Sequence, residues 1–294
     1  MRLVTYSVGP AGPPRAGVRV GHRILDIEAA SRVNGEPLPS SVKALLAAGR
    51  GALARVQALA KAATTEARPF TKDMFEERAI RFLPPVPDAD RVLCMRRVDV
   101  AKGAPGEPAA LLMPSSRLVG HNAKAALPEG AVGLDCAPSM AFVIGRHAQD
   151  VDKDDASDYV AGVTLLNEFT GRNAKKNGVG AQALARDGRE TPGFGALGSD
   201  IVTLDEIPDL EDLWMICTVN GEERLRANTH DHAWTMPDVL AHFSRGEALE
   251  AGDVISTGAP AGAAGLFLKA GDVVEFTIEG ITGLRTTIGA AGEA

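Results

Sequence analysis

From residue 91 onward the chain is a succession of short apolar runs closed by turn residues: RVLCM, AALLMP, AFVIG, VAGVTLLNEF, DLWMICTVNG, DVISTG and DVVEFTIEG. Runs of this length, bounded by Gly, Pro, Asn or Asp, read as strands. Helical patterns interrupt them around DKDDASDYVAG and at TMPDVLAHFSRG, the latter with Thr235 as N-cap and Gly246 as C-cap. Many strands with few helices predict a β-rich roll, barrel or sandwich and argue against a doubly wound sheet. LEAGDV (249–254) and LKAGDV (268–273) repeat one device, an Ala-Gly-Asp turn leading into a strand.

The N-terminal region reads differently. Residues 1–30 are short strands and turns, SVKALLAAG is an amphipathic helical turn closed by Gly49, and ALARVQALAKAA (52–63) has apolar residues at helical spacing. The expected organisation is a small α+β domain over 1–70, a Pro-punctuated linker over 71–90, and the main domain over 91–294. The fold class is therefore α+β, mostly β.

Net charge is −7, and no Lys/Arg run exceeds two residues, so no basic face for nucleic acid is expected. Cys94, Cys136 and Cys217 are odd in number and widely spaced, which fits a reduced setting. Neither a signal-peptide pattern nor an apolar stretch of about 18 residues is present, so the expected location is the cytoplasm, away from any membrane.

GLDCAPSMAFVIG (133–145) is the stretch that bears on chemistry. In a strand, Asp135, Ala137 and Ser139 share one face, while Cys136 turns to the other and into the core. The segments SDYVAGVTLLNEFTGRN, LGSDIVTLDEIPDLEDL, VNGEERLRANTHDHAWTMPDVLAHFSRGEALEAGDVISTGAPAG and FLKAGDVVEFTIEGITGLRTTI together resemble the fumarylacetoacetate hydrolase family, as does LLMPSSRLVG ahead of them. The resemblance covers about residues 90–290 in order. It implies a C-terminal mixed-β roll or barrel, a small α+β N-terminal domain and a homodimer. It also implies chemistry on 2-oxo or β-dicarbonyl acids, usually with Mg²⁺ or Mn²⁺.

Carried over position by position, the resemblance breaks at the chemical sites. The family's metal-binding Glu-x-Glu pair falls on Ala137 and Ser139, and its Asp falls on Glu168. The water-activating His falls on Lys102. The Lys-bearing loop falls near Arg189, and the T-G-T-P-A-G loop is kept as Thr257, Gly258, Ala259, Pro260, Ala261 and Gly262. Arg172 matches a motif Arg of structural role, and Gln182 matches a polar residue near the site.

Hard dications want oxygen ligands, several of them anionic, and Ala137 and Ser139 supply no charge. The expectation is accordingly a site with no Mg²⁺, Mn²⁺ or other cofactor. Lys102 and Glu168 become the catalytic candidates, a base or electrophile and a general acid/base. Arg96, Arg97, Asp99, Ser139, Gln182, Arg189, Gly258 and Ala259 become the substrate-binding candidates, with fixed cations replacing the metal's charge. His230 and His232 are spaced for chelation but lack an evident third ligand. The expected function is a hydrolase or lyase acting on a small oxo acid by C–C hydrolysis, decarboxylation or isomerisation. The alternative is a catalytically inactive scaffold or partner subunit on the same fold.

Overall fold

The computed structural model describes residues 1–32, 35–66, 68–95, 107–172, 194–260, 262–263 and 266–292. Strands β1 (Arg2–Val8), β2 (Arg15–Val20) and β3 (Arg23–Asp26) form an antiparallel meander. The helices α1 (Ile27–Arg32), α2 (Val42–Ala47) and α3 (Gly49–Thr65) follow. Asp26 Oδ1 accepts from the Ala29 amide to start α1, and Ser41 Oγ caps α2 through the Ala44 amide. Residues 71–90 hold more than a connection. β4 (Met74–Glu76) pairs with β3, and β5 (Ile80–Phe82) pairs with β1. Both strands have only three residues, too short for alternation to show through the Pro-rich sequence.

The remaining strands are β6 (Val92–Met95), β7 (Ala110–Met113), β8 (Leu118–Val119), β9 (Lys124–Ala126), β10 (Gly133–Ile144) and β11 (Val160–Arg172). They continue as β12 (Gly195–Leu197), β13 (Asp200–Val202), β14 (Trp214–Val219) and β15 (Glu222–Asn228). Helix α4 (Met236–Phe243) precedes β16 (Val254–Ser256), β17 (Phe267–Leu268), β18 (Val273–Ile278) and β19 (Ile281–Gly289). Among the described residues, one sheet runs β4-β3-β2-β1-β13-β11-β10-β16-β6-β7 and a second runs β15-β14-β18-β19-β9. The fold is the expected mostly-β mixed architecture. Parallel pairs occur at β16–β6, β12–β8 and β19–β9.

Two cores explain the composition of β10. Cys136, Met140 and Phe142 point between the sheets, against Met215, Cys217 and Phe276. Ala141 and Val143 point the other way, into the core that Leu45, Leu46 and Val56 build beneath α2 and α3. The second half of β10 is buried on both faces and reads as a continuous apolar run. Gly162 is required where β11 passes β13, because a Cβ there would sit 2.2 Å from the Val202 carbonyl oxygen. The repeated Ala-Gly-Asp turns share one geometry. Gly252 and Gly271 have φ of +95° and +93°, and each following Asp accepts from the amide three residues earlier, Asp253 from Glu250 and Asp272 from Lys269.

The DKDDASD stretch is a 3-10 helix, Lys153–Asp158, and not an α-helix. Its clustered Asp residues compete for local backbone bonds and hold a regular helix back. Thr235 does cap α4, in a full capping box with Asp238. The helix ends at Ser244, and Gly246 takes its positive φ two residues later. No helix among the described residues is long and apolar enough to cross a membrane.

One buried ion pair joins the N-terminal meander to the rest. Arg19 on β2 donates Nε and Nη2 to the two oxygens of Asp200 on β13, at 2.7 and 2.8 Å. Thr282 Oγ1 adds a bond to Asp200 at 3.0 Å, and Glu77 contacts the same guanidinium. Removing Asp200 leaves the mostly buried Arg19 with only the more exposed Glu77 among these carboxylates. Asp200→Ala should therefore cost about 3–5 kcal/mol in urea unfolding, and a loss below about 1 kcal/mol would show that the pair does not hold the meander.

The loop before α4 carries a second electrostatic signature. Burial pushes the His232 imidazole down to about 4. An imidazole in the unfolded chain titrates near about 6.5, so the unfolded state binds more protons between these values. Stability should fall as pH drops from about 6.5 towards 4, by on the order of 2–3 kcal/mol at pH 4.5 from this group. Urea midpoints of wild type and His232→Phe across that window check it, because the variant should lose this share of the acid sensitivity.

Candidate active-site cleft

The first half of β10 and the end of β11 face each other in register, with Asp135 opposite Thr170 and Ala137 opposite Glu168. Alternation puts Asp135, Ala137, Ser139, Glu168, Thr170 and Arg172 on one face. The other face, carrying Cys136, Met140 and Phe169, is packed between the sheets. The outer face is the floor of a cleft of about 450 Å³, walled by Cys94 and Met95 at the end of β6 and by Leu111 on β7. Ser256, Gly258 and Ala259 close its remaining side.

The wall after β16 is fixed by backbone bonds. The Thr257 amide donates to the Met140 carbonyl at 2.8 Å, and Ser256 Oγ accepts from the Met95 amide at 3.1 Å. Gly258 then turns with φ of +78°, and a Cβ there would come within 3.4 Å of the Met95 carbonyl oxygen. That is ordinary contact, so it is the left-handed backbone that favours glycine at 258 and keeps this wall free of a side chain.

Charge in the cleft is sparse. Among the described lining residues, Glu168 is the one carboxylate and Arg172 the one cation. The Arg172 guanidinium holds Asp135 through Nε and Nη2, with the arginine half exposed and the aspartate a quarter exposed. Ser139 is buried at 2% exposure on the same floor. The Cys136 thiol lies on the opposite face, where its hydrogen bond to Cys217 and its burial push it up, so it is no thiolate nucleophile.

Of the residues singled out from sequence, Ser139, Glu168, Gly258 and Ala259 come together in this cleft. Arg96, Arg97, Asp99, Lys102, Gln182 and Arg189 lie outside the described residues. Arg172 and Thr170 line the cleft, although sequence reading gave Arg172 a structural place and passed over Thr170. The signal for both was present in the period-2 spacing from Glu168. His230 is exposed, His232 is half-buried, and neither lines this cleft.

Among the described residues, the donor set does not suit a hard dication. Ala137 has no ligand atom, Ser139 offers a neutral hydroxyl, Asp135 is held by Arg172, and Glu168 alone adds a cleft-lining carboxylate. Among the described residues, no group of three His, Cys, Asp or Glu side chains is arranged to hold a metal ion.

Comparison with known proteins agrees with the architecture. A mitochondrial oxaloacetate tautomerase of Xenopus laevis is 30% identical over 292 residues, covering 95% of this chain and 87% of its own length. Maleylpyruvate hydrolase from Sphingobium sp. SYK-6 superposes with a TM-score of 0.74 at 23% identity, covering 99% of this chain and all of its own, and is also known with manganese(II) and pyruvate. A 2-hydroxyhepta-2,4-diene-1,7-dioate isomerase from Mycobacterium marinum gives a TM-score of 0.71 at 24% identity, covering both chains in full. The model of the fumarylacetoacetate hydrolase C-terminal domain matches residues 88–289, and the chain belongs to the fumarylacetoacetate hydrolase family.

Proposed function

We propose that the protein is an enzyme acting on a small 2-oxo or β-dicarbonyl acid, that it shifts a proton between carbon and oxygen, and that it works without the usual divalent metal. The observation that carries this reading is Glu168, the one carboxylate among the described residues of the cleft floor, where its cross-strand neighbour is Ala137. One positioned carboxylate is sufficient for keto–enol transfer. Glu168 takes the proton from the carbon beside the ketone, the C–H pair becomes the C=C bond, and the carbonyl π pair moves to oxygen. The enolate oxygen then takes the proton back from the Glu168 carboxyl group. C–C hydrolysis or decarboxylation would begin from the same carbonyl polarisation.

The enolate charge needs positive partners. Arg172 lines the cleft, and Lys102 and Arg189 are the sequence candidates for the electrophilic and anion-binding roles. Arg96, Arg97, Asp99 and Gln182 join them as proposed substrate contacts. Gly258 and Ala259 give the substrate a thin backbone wall to lie on. The oxaloacetate tautomerase among the relatives supports an oxo acid as substrate. A homodimer in the cytoplasm completes the reading.

Oxaloacetate is the first substrate to try, with enol absorbance as the readout. Glu168→Gln should lower kcat by about 10²–10⁴ with little change in KM, the usual worth of a general acid/base. Lys102→Ala should lower kcat as well. An active wild type left unchanged by both substitutions would sink this mechanism, and no turnover of any small oxo acid would favour the inactive scaffold.

Metal dependence is checked separately. Protein purified without chelator, loaded with Mn²⁺ and desalted, should carry far less than one ion per chain, and EDTA should leave turnover unchanged. A stoichiometric ion whose removal abolishes activity would overturn the metal-free part of the reading while leaving the substrate class standing.

A further inference from the structure

Three cleft-lining side chains stand at the end of β11: Glu168, Thr170 and Arg172. Each keeps accessible surface, with Glu168 and Thr170 part-buried and Arg172 half exposed. The ladder with β10 runs without a register shift from Gly133 opposite Arg172 to Val143 opposite Gly162, so this end of the strand is regular. A regular strand advances about 3.3 Å per residue, which sets the Glu168 and Arg172 Cα atoms about 13 Å apart on one face. The residues opposite the two ends are small, Ala137 across from Glu168 and Gly133 across from Arg172. The floor is a track with a carboxylate at one end and a guanidinium at the other.

The contact with Asp135 uses only part of that guanidinium. Arg172 Nε and Nη2 both meet Asp135 Oδ2, which occupies the side-on edge of the fork. A guanidinium carries five N–H donors, and its end-on edge is Nη1 together with the second N–H of Nη2. No group among the described residues takes that edge. An ion pair as exposed as this one contributes little to stability, so strand pairing does not account for it. Asp135 holds the fork by one edge, and the other edge has the planar geometry that matches a carboxylate.

Glu168 as the base limits what can reach Arg172. The carbon that it deprotonates lies beside the ketone, only two bonds of about 1.5 Å from the acid's own carboxylate. A span of about 13 Å, less contacts of about 3 Å at each end, leaves about 7 Å between that carbon and the group on Arg172. The acid's own carboxylate is too close to bridge it. A cleft of about 450 Å³ lies within the usual range for holding a molecule of the required length.

Resting on the reading of Glu168 given above, we propose that Arg172 is the specificity-determining residue of the cleft. Its end-on edge binds a second carboxylate of the substrate, about 7 Å from the carbon that Glu168 deprotonates. The preferred substrate is then a 2-oxo diacid whose far carboxylate lies about five bonds beyond that carbon. A short acid such as oxaloacetate can meet Glu168 but cannot engage Arg172 at the same time.

Proton abstraction is read as deuterium exchange at C3, by proton NMR in D2O, with each rate taken above that of buffer alone. Saturated 2-oxo diacids of five to eight carbons are compared with 2-oxo monoacids of the same lengths. The monoacids report on Glu168 alone, and the diacid-to-monoacid ratio of kcat/KM reports on Arg172. That ratio should rise with length and reach about 10–100 at eight carbons, the usual worth of hydrogen bonds to a charged group. Arg172→Met should bring the ratio close to one. Arg172→Lys should keep a smaller preference, because an ammonium is a point charge without the fork. General damage to the fold would lower both series together, which the ratio cancels.

Exchange of the monoacids with a ratio near one at every length would overturn the assignment and leave the Glu168 reading standing. So would a ratio highest at five carbons, or one that survives Arg172→Met. No exchange of any acid above the buffer rate would remove the Glu168 reading and this inference with it.

Discussion

The antiparallel pairing of β10 and β11 is the constraint on which the rest of the molecule depends. These are the longest strands, 12 and 13 residues, and they stay in register from Gly133 opposite Arg172 to Val143 opposite Gly162. Side-chain alternation along such a ladder is obligatory, so fixing one residue's face fixes them all. With Cys136, Met140 and Phe169 committed to the space between the sheets, Ala137, Glu168 and Arg172 have no choice but the outer face. The cleft is a consequence of the core. A one-residue slip would bury Glu168 among apolar side chains and expose Phe169 in its place.

The same ladder is anchored at its ends by polar groups that leave the functional face alone. Asp200 joins β13 to Arg19 and so fastens the N-terminal meander beside β11. Asp253 closes the turn into β16 and also receives the Arg91 side chain at 3.0 Å, setting β6 beside β16. Both carboxylates are nearly fully buried and fully engaged, which makes them framework groups. Arg172 at the cleft is looser by contrast, half exposed and paired with Asp135. Groups that must rearrange around a substrate are drawn from that second kind.

Local chemistry made much of this legible in the sequence. The capping box at Thr235, the Asp-closed turns at Asp253 and Asp272, and the strands from Val92 to Ile278 are each set by residues close together in the chain. Period-2 alternation alone put Ala137 and Ser139 on one face and Cys136 on the other, and the family resemblance supplied Glu168. Partnerships that depend on register were out of reach. Arg172 and Asp135 are 37 positions apart, and only the alignment of two strands shows that one holds the other. The strands at Met74 and Ile80 were hidden for a related reason. Three residues carry no periodic signal, and their stability comes from the neighbours β3 and β1 that they join.

Register also bears on positions 137 and 139, where the family resemblance places a carboxylate pair and this chain has Ala and Ser. Side chains directly opposite in an antiparallel pair approach to about 4.5–5.5 Å, and like charges there repel. A Glu at 137 would face Glu168 at that distance, and the two would need a cation between them to remain ionised together. Ala137 removes that repulsion. Glu168 is thereby spared a like charge directly across the ladder, and on the proposed reading that leaves it suited to an acid/base role. Under the proposed function, the exchange that removes a carboxylate from position 137 therefore also removes the repulsion a cation would have to offset, and one change in the ladder bears on both metal binding and acid/base chemistry.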